Sequence, residues 1–289
     1  YGDHRDLHLS IRRQRQMCIR DSYMGTRKIS DKEIENIRKW LENNQDSKSE
    51  KIIIELEELI GKEFSTERVV CTNSAMASLH LALQTIGVGP GDEVIVDPIV
   101  VFGGMAAMYQ NAVPVFADID LETYNIDPES ISKRITSRTK AIICTHHFGN
   151  ICDMKAILAI AKQHNIPVIE DCAHALYATQ NGKFAGLFGD FAAFSFNHRK
   201  QLSTGQGGFL LINSKRYAEK SKDKGFGRVP ARLTWNYTMS GIIASIAIAQ
   251  WENARDYVKK DNELAKLYTE ALQDLSLIHI SEPTRRYAI

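Results

Sequence analysis

Between Arg68 and Ile212 short apolar runs alternate with amphipathic stretches and turn-forming residues, and this alternation constrains the fold most. Strands are expected at Arg68–Thr72, Glu93–Val96, Val113–Ala117, Ala141–Thr145, Ile166–Glu170 with Asp171 at its end, Phe191–Phe196 and Gly208–Ile212. Helices are expected at Asp31–Asn43, with Ser30 as its cap, and at Lys51–Ile60, Ala75–Ile86, Gly103–Asn111 and Met154–His164. A long polar link is expected after Ala117, and Gly89-Pro90-Gly91-Asp92 reads as a turn. From about Ser240 the pattern turns helical, over Ile242–Tyr257 and Asn262–Leu272. Strands separated by helices make an α/β fold: a mostly parallel sheet with helices on both faces.

The two ends do not share this pattern. Residues 1–22 and 276–289 resemble translated sequencing-adapter DNA, and are read as non-native tails. The alternative is a genuine basic N-terminal arm. The tails hold 7 of 36 Lys and Arg and 4 of 35 Asp and Glu, leaving 29 basic against 31 acidic residues. That balance implies no basic face for nucleic acid. No run of apolar residues is long enough for a membrane span, and no secretory signal is visible. Outside the tails the cysteines are Cys71, Cys144, Cys152 and Cys172, scattered and mostly in apolar runs. Buried thiols in a reducing cytoplasm suit them better than disulfides.

In open α/β sheets ligands bind at the carboxyl ends of the strands, and five features fall there. Lys200 lies in a turn between two apolar runs, followed by Gly205-Gln206-Gly207-Gly208. Such a lysine suits a Schiff base with a carbonyl cofactor; the plainer reading is a solvated loop lysine. Asp171 ends a strand and suits a protonated pyridine nitrogen, a metal or a helix cap. Nearby His174 suits a ring oxygen or a satisfied core position. Ser74, Ala75 and Met76 form a small-residue turn opening a helix, where free amides bind phosphate, or where Ser74 is an ordinary cap. Ser195, five residues before Lys200, has a hydroxyl for a phosphate oxygen. Phe102 is either a stacking ring or a core residue.

Taken in order, these segments resemble the DegT-like sugar aminotransferases, which belong to fold type I of the pyridoxal-phosphate (PLP) enzymes. The resemblance spans residues 28–275 and includes Gly87–Val96, Pro114–Asp120, Glu170–His174, the lysine segment and Trp235–Ser240. It implies a PLP-binding large domain over 23–240. It also implies that 241–275 begins a helical link to a truncated C-terminal small domain. Residue by residue it implies Lys200 as the Schiff-base lysine, Asp171 on the pyridine nitrogen and His174 near the ring hydroxyl. Ser195 and the amides of Ala75 and Met76 match the phosphate site, and Phe102 the stacking aromatic. Asn236 matches an asparagine donated to the neighbouring subunit's phosphate site, which implies a homodimer. The pattern departs at Met76, where threonine is common, and at Gln206, where glutamate is usual. The family's Gly-Trp-Leu-Thr-like stretch is not evident near Glu42–Ser49.

The resemblance implies amino transfer from glutamate or glutamine to a keto sugar, nucleotide-linked, or to a keto-cyclitol, in amino-sugar or polysaccharide biosynthesis. Two alternatives stay within the fold: a non-catalytic or regulatory protein, and a PLP-dependent sugar dehydratase. In the dehydratases a histidine takes the lysine position, whereas here Lys200 is in register and His198 is two residues early. A metal enzyme using Cys144, His146, His147, Cys152, Cys172 and His174 is a further class, but their spacings match no common zinc pattern.

Overall fold

The computed structural model describes residues 30–43, 49–198, 200–222 and 235–272. Both expected tails lie outside these residues. Helices α1 (Asp31–Asn43) and α2 (Ser49–Phe64) precede strand β1 (Arg68–Thr72) and helix α3 (Ala75–Ile86). Next come β2 (Glu93–Val96), α4 (Phe102–Tyr109), β3 (Val113–Phe116), α5 (Pro128–Arg134) and β4 (Thr139–Thr145). A single turn of 3-10 helix at His147–Gly149 leads to α6 (Met154–His164), β5 (Val168–Asp171) and a small hairpin of β6 (Thr179–Gln180) and β7 (Lys183–Phe184). Strands β8 (Phe191–Ser195) and β9 (Gly208–Ile212) follow, then α7 (Lys215–Lys222), α8 (Gly241–Trp251) and α9 (Ala254–Leu272).

Seven strands form one sheet in the order β1-β9-β8-β5-β4-β2-β3. β9 runs antiparallel to both its neighbours, and all other strands share one direction. Side chains alternate across the sheet with the two-residue period of a strand. Phe209 and Leu211 of β9, with Ala192 and Phe194 of β8, face the layer of α2 and α8. Leu210 and Ile212, with Phe191 and Ala193, face α3 and α7. The Phe194 and Phe209 rings stack at 4.5 Å across the β8–β9 pair.

Local signals set the element ends. Ser74 caps α3 by accepting from the Ala77 amide, and Gly87 closes it in the left-handed region at φ 97°. Asp153 caps α6, which Asn165 ends at φ 52°. The expected polar link after β3 contains α5, begun by Asp127 as cap and Pro128 in the first turn. The single helix expected over Ile242–Tyr257 is divided between Trp251 and Ala254. The expected helical link starts inside the core: Ala244, Ala247 and Trp251 of α8 pack with Leu56 and Phe64 of α2.

Candidate active site

The carboxyl ends of β1, β8, β5, β4 and β2 meet along one edge of the sheet, and the antiparallel β9 begins there. Asp171 closes β5 and is buried. Its Oδ1 accepts from the Ala173 amide at 3.0 Å. Burial raises its pKa, and the Lys200 ammonium acts in the opposite sense. His174 lies three residues on. Burial, and then the Lys200 charge, lower its pKa to about 4, so its ring is neutral near pH 7. Among the described residues its Nδ1 is buried without a hydrogen-bond partner. Lys200 therefore lies within Coulombic reach of both the buried carboxylate and the neutral imidazole.

Lys200 is half-buried in a loop pinched at its base. The Phe196 amide donates to Gly207 O at 2.9 Å, and the Thr204 amide to Phe196 O at 3.0 Å. Ser195 sits opposite Gly208 in the β8–β9 register. A Cβ on Gly208 would lie 2.7 Å from the Ala75 nitrogen, so glycine alone lets β9 pass this close to the start of α3. Ser195 and the first amides of α3 are thereby brought together across one glycine. The amides of Ala75 and Met76, at the first positions of a helix, have no acceptor within it by geometry. Ser74 is a cap, one of the two alternatives open for it, and it accepts from the Ala77 amide, not from those of Ala75 and Met76.

Asn236 is exposed and tethered beside the same turn. The Asn73 amide donates to Tyr237 O at 2.9 Å, and Thr72 bridges Thr238. Phe102 is half-exposed at the start of α4. Among the described residues the ring that stacks on His174 belongs to Phe148, with centroids 5.8 Å apart and planes 16° apart. Sequence reasoning missed Phe148, which sits at φ 54° just before Gly149.

A second group lies at the ends of β2 and β4, joining His147, named above as a metal candidate, to Asp97, which sequence reasoning missed. Asp97 is buried and accepts from Thr145 Oγ1 at 2.7 Å and from His147 Nε2 at 3.2 Å. Burial opposes its ionisation, but the His147, Val100 and Thr145 bonds outweigh it and hold the pKa low.

Under the site His146, Glu170 and Cys172 place ligand-type atoms within 4.8 Å of one another. Glu170 Oε1 takes the Phe188 and Gly189 amides, and Oε2 takes the Gly186 amide and His146 Nε2. His146 Nδ1 takes the Cys152 amide at 3.2 Å. The Glu170 oxygens and the His146 ring nitrogens are thus engaged within the protein.

The residues fit PLP on the chain's own chemistry. A buried carboxylate at a strand end suits a pyridinium, the orphaned His174 Nδ1 suits a polar ring substituent, and the glycine-opened helix start suits a phosphate.

Known proteins carry the same pattern. The model of the DegT/DnrJ/EryC1/StrS aminotransferase family matches residues 27–288. GDP-perosamine synthase of Escherichia coli O157:H7 is 34% identical over 259 residues, covering 87% of this chain and 71% of that protein. The spore coat polysaccharide biosynthesis protein SpsC of Bacillus subtilis (strain 168) is 36% identical over 270 residues, covering 86% of this chain and 68% of its own. Among solved structures, an aminotransferase from Psychrobacter cryohalolentis superposes with a TM-score of 0.73 at 30% identity. That match covers 80% of this chain and 63% of the solved one, so this chain spans under two thirds of its length. The ordered motifs, the fold and these matches agree, and the chain belongs to the DegT/DnrJ/EryC1/StrS aminotransferase family, whose members depend on PLP.

Proposed function

We propose that the protein moves an amino group from glutamate or glutamine to a keto sugar, nucleotide-linked, in amino-sugar or polysaccharide biosynthesis. The amino acid leaves as its 2-keto acid and the sugar leaves as an amino sugar, so the two half-reactions balance. The observation that supports the reading is that buried Asp171 at the end of β5, the Lys200 loop between β8 and β9, and the start of α3 against Gly208 lie at one edge of the sheet. When bound, PLP supplies a carbonyl for amine exchange and a ring that withdraws electrons.

The chain's own groups do the rest. Lys200 would hold the cofactor through Nζ, and its free amine would move a proton as base and then acid. Asp171 holds the proton on the pyridine nitrogen. His174 hydrogen-bonds the ring oxygen, and Ser195 with the Ala75 and Met76 amides holds the phosphate. Asn236 reaches the phosphate of a second copy, making a homodimer the working unit. The location is the cytoplasm, in keeping with the buried free cysteines. Among the described residues no helix is long and apolar enough to cross a membrane.

The test is spectroscopic. The purified chain with PLP should show a visible absorbance band that glutamate bleaches in a single turnover. Lys200→Ala should lose that band while keeping its far-UV spectrum, because Lys200 lies in a loop. A band that survives in Lys200→Ala sinks the assignment of the lysine.

A further inference from the structure

The lysine loop is closed at its base by backbone bonds, but its outer part needs other support. After Lys200 the chain runs through Gln201 and the fully buried Leu202 to Ser203. Gln250 of α8, itself 1% exposed, takes hold of Ser203 at both backbone groups. Its Oε1 accepts from the Ser203 amide at 2.9 Å, and its Nε2 donates to Ser203 O at 2.7 Å. The side-chain amide thus pairs with one residue as a neighbouring strand would. The same Nε2 donates to Glu33 Oε1 at 2.9 Å.

Glu33 is 3% exposed, and its other oxygen is fixed in turn. Oε2 accepts the Ser30 amide at 2.8 Å and the Ser30 hydroxyl at 2.9 Å, in a capping box at the start of α1. Around this bond α1 lies along α8: Lys32 pairs with Glu252, Asn36 Nδ2 donates to Ser245 O, and Trp40 meets Gly241. A buried carboxylate and a buried amide are costly unless every polar atom is used, so the pair fixes a single loop position.

We propose that Gln250, held by Glu33, is a positioning residue that sets where Lys200 stands relative to Asp171. The proposal rests on Lys200 being the PLP lysine, and places its support outside the cofactor shell, in the first helix and α8. Losing the clamp frees Ser203 and loosens the adjoining Thr204 bond, while the Phe196–Gly207 bond keeps the base of the loop closed. The lysine then samples more positions, and both its proton affinity and its rate of transfer change.

The experiment uses Gln250→Met, which keeps side-chain length and removes the three bonds. Lys32→Ala, which loosens the same helix pair at its exposed ion pair, is the control. Hydrogen exchange on the cofactor-free protein should show amides of residues 200–204 exchanging at least tenfold faster in Gln250→Met, while β5 amides keep their protection. With PLP bound, the pH midpoint of the visible band should move, and kcat should fall about tenfold with a smaller change in KM. Lys32→Ala should do neither.

Unchanged exchange at 200–204 and an unchanged midpoint in folded Gln250→Met would overturn the proposal. If that variant does not fold, Glu33→Gln is measured instead, since it removes one acceptor and keeps the volume. Faster exchange confined to 200–204 supports the clamp, and a uniform rise across the sheet overturns it. The exchange measurement needs no cofactor, so failure of the clamp and failure of the lysine assignment are told apart.

Discussion

At Gly208 an added Cβ would stand 2.4 Å from Phe194 O, 2.7 Å from the Ala75 nitrogen and 2.9 Å from the Ser74 carbonyl carbon. All three neighbours are backbone, so none can swing aside. Gly208→Ala should therefore destabilise the fold by about 3 kcal/mol or more, at the upper end for point mutations. It should also weaken phosphate-dependent PLP binding more than binding of pyridoxal. Denaturant midpoints and two cofactor titrations check this, and an unchanged midpoint refutes the steric account. At this scale much of the candidate site was legible. Lys200, Asp171 and Ser195 are chemically suggestive residues at strand ends, and a strand end is readable from the apolar run before it. Phe148 was not legible, because its place over His174 depends on a left-handed turn at a residue other than glycine. Gln250 was hidden for another reason: its partners lie 47 and 217 positions away, beyond any local pattern.

Helix α3 connects the proposed phosphate turn with the segment carrying Asn236 through the buried His80. His80 Nε2 accepts from Gln110 at 2.7 Å, so its proton sits on Nδ1, which donates to the Tyr237 hydroxyl oxygen at 3.1 Å. Trp235, Tyr237 and Tyr109 pack edge-on around that ring. Burial lowers the His80 pKa from 6.5 to about 4. In the unfolded chain the imidazole takes a proton below pH 6.5, and in the folded one only near 4. Its stabilisation is thus complete above 6.5 and is lost as pH falls toward 4. At pH 5 the loss is roughly 2 kcal/mol. Urea unfolding at pH 7 and pH 5 should show a smaller pH dependence in His80→Leu by about that amount, alongside lower stability at pH 7 from the lost bonds. An identical pH dependence in both proteins would show that His80 does not titrate this way. Strong periodic elements such as α3, α6 and β9 were readable from sequence with their bounds. Helix α5 was missed although Asp127-Pro128 marks its start, because seven residues carry too little periodicity to be recognised. The mostly parallel sheet was legible from the alternation of strands and helices, but β1 meets β9 through pairing that no local signal encodes.

At the scale of the whole molecule, α4 leaves a run of large apolar side chains exposed. Phe102, Met105, Met108 and Tyr109 of α4 are between 38% and 61% exposed, and Phe116 of β3 adds to the same edge. A patch of this kind suits a second copy of the chain, as the proposed dimer requires. Met108→Glu should raise the dimer dissociation constant at least tenfold in sedimentation experiments. It should leave the far-UV spectrum of the monomer intact, and unchanged sedimentation would place the interface elsewhere. The pairing of β1 with β9 bears on how the site comes into being. Arg68 meets Ile212, and Thr72 meets Gly208. On a ribosome the phosphate turn emerges long before the strand that must lie beside it. Until β9 arrives, β1 lacks its sheet partner and is exposed to wrong ones, and the two halves of the proposed phosphate cradle are not yet paired. The edge that carries the proposed site is thus a late product of folding, and a synthesis pause before residue 208 would lengthen the interval in which the chain is open to aggregation.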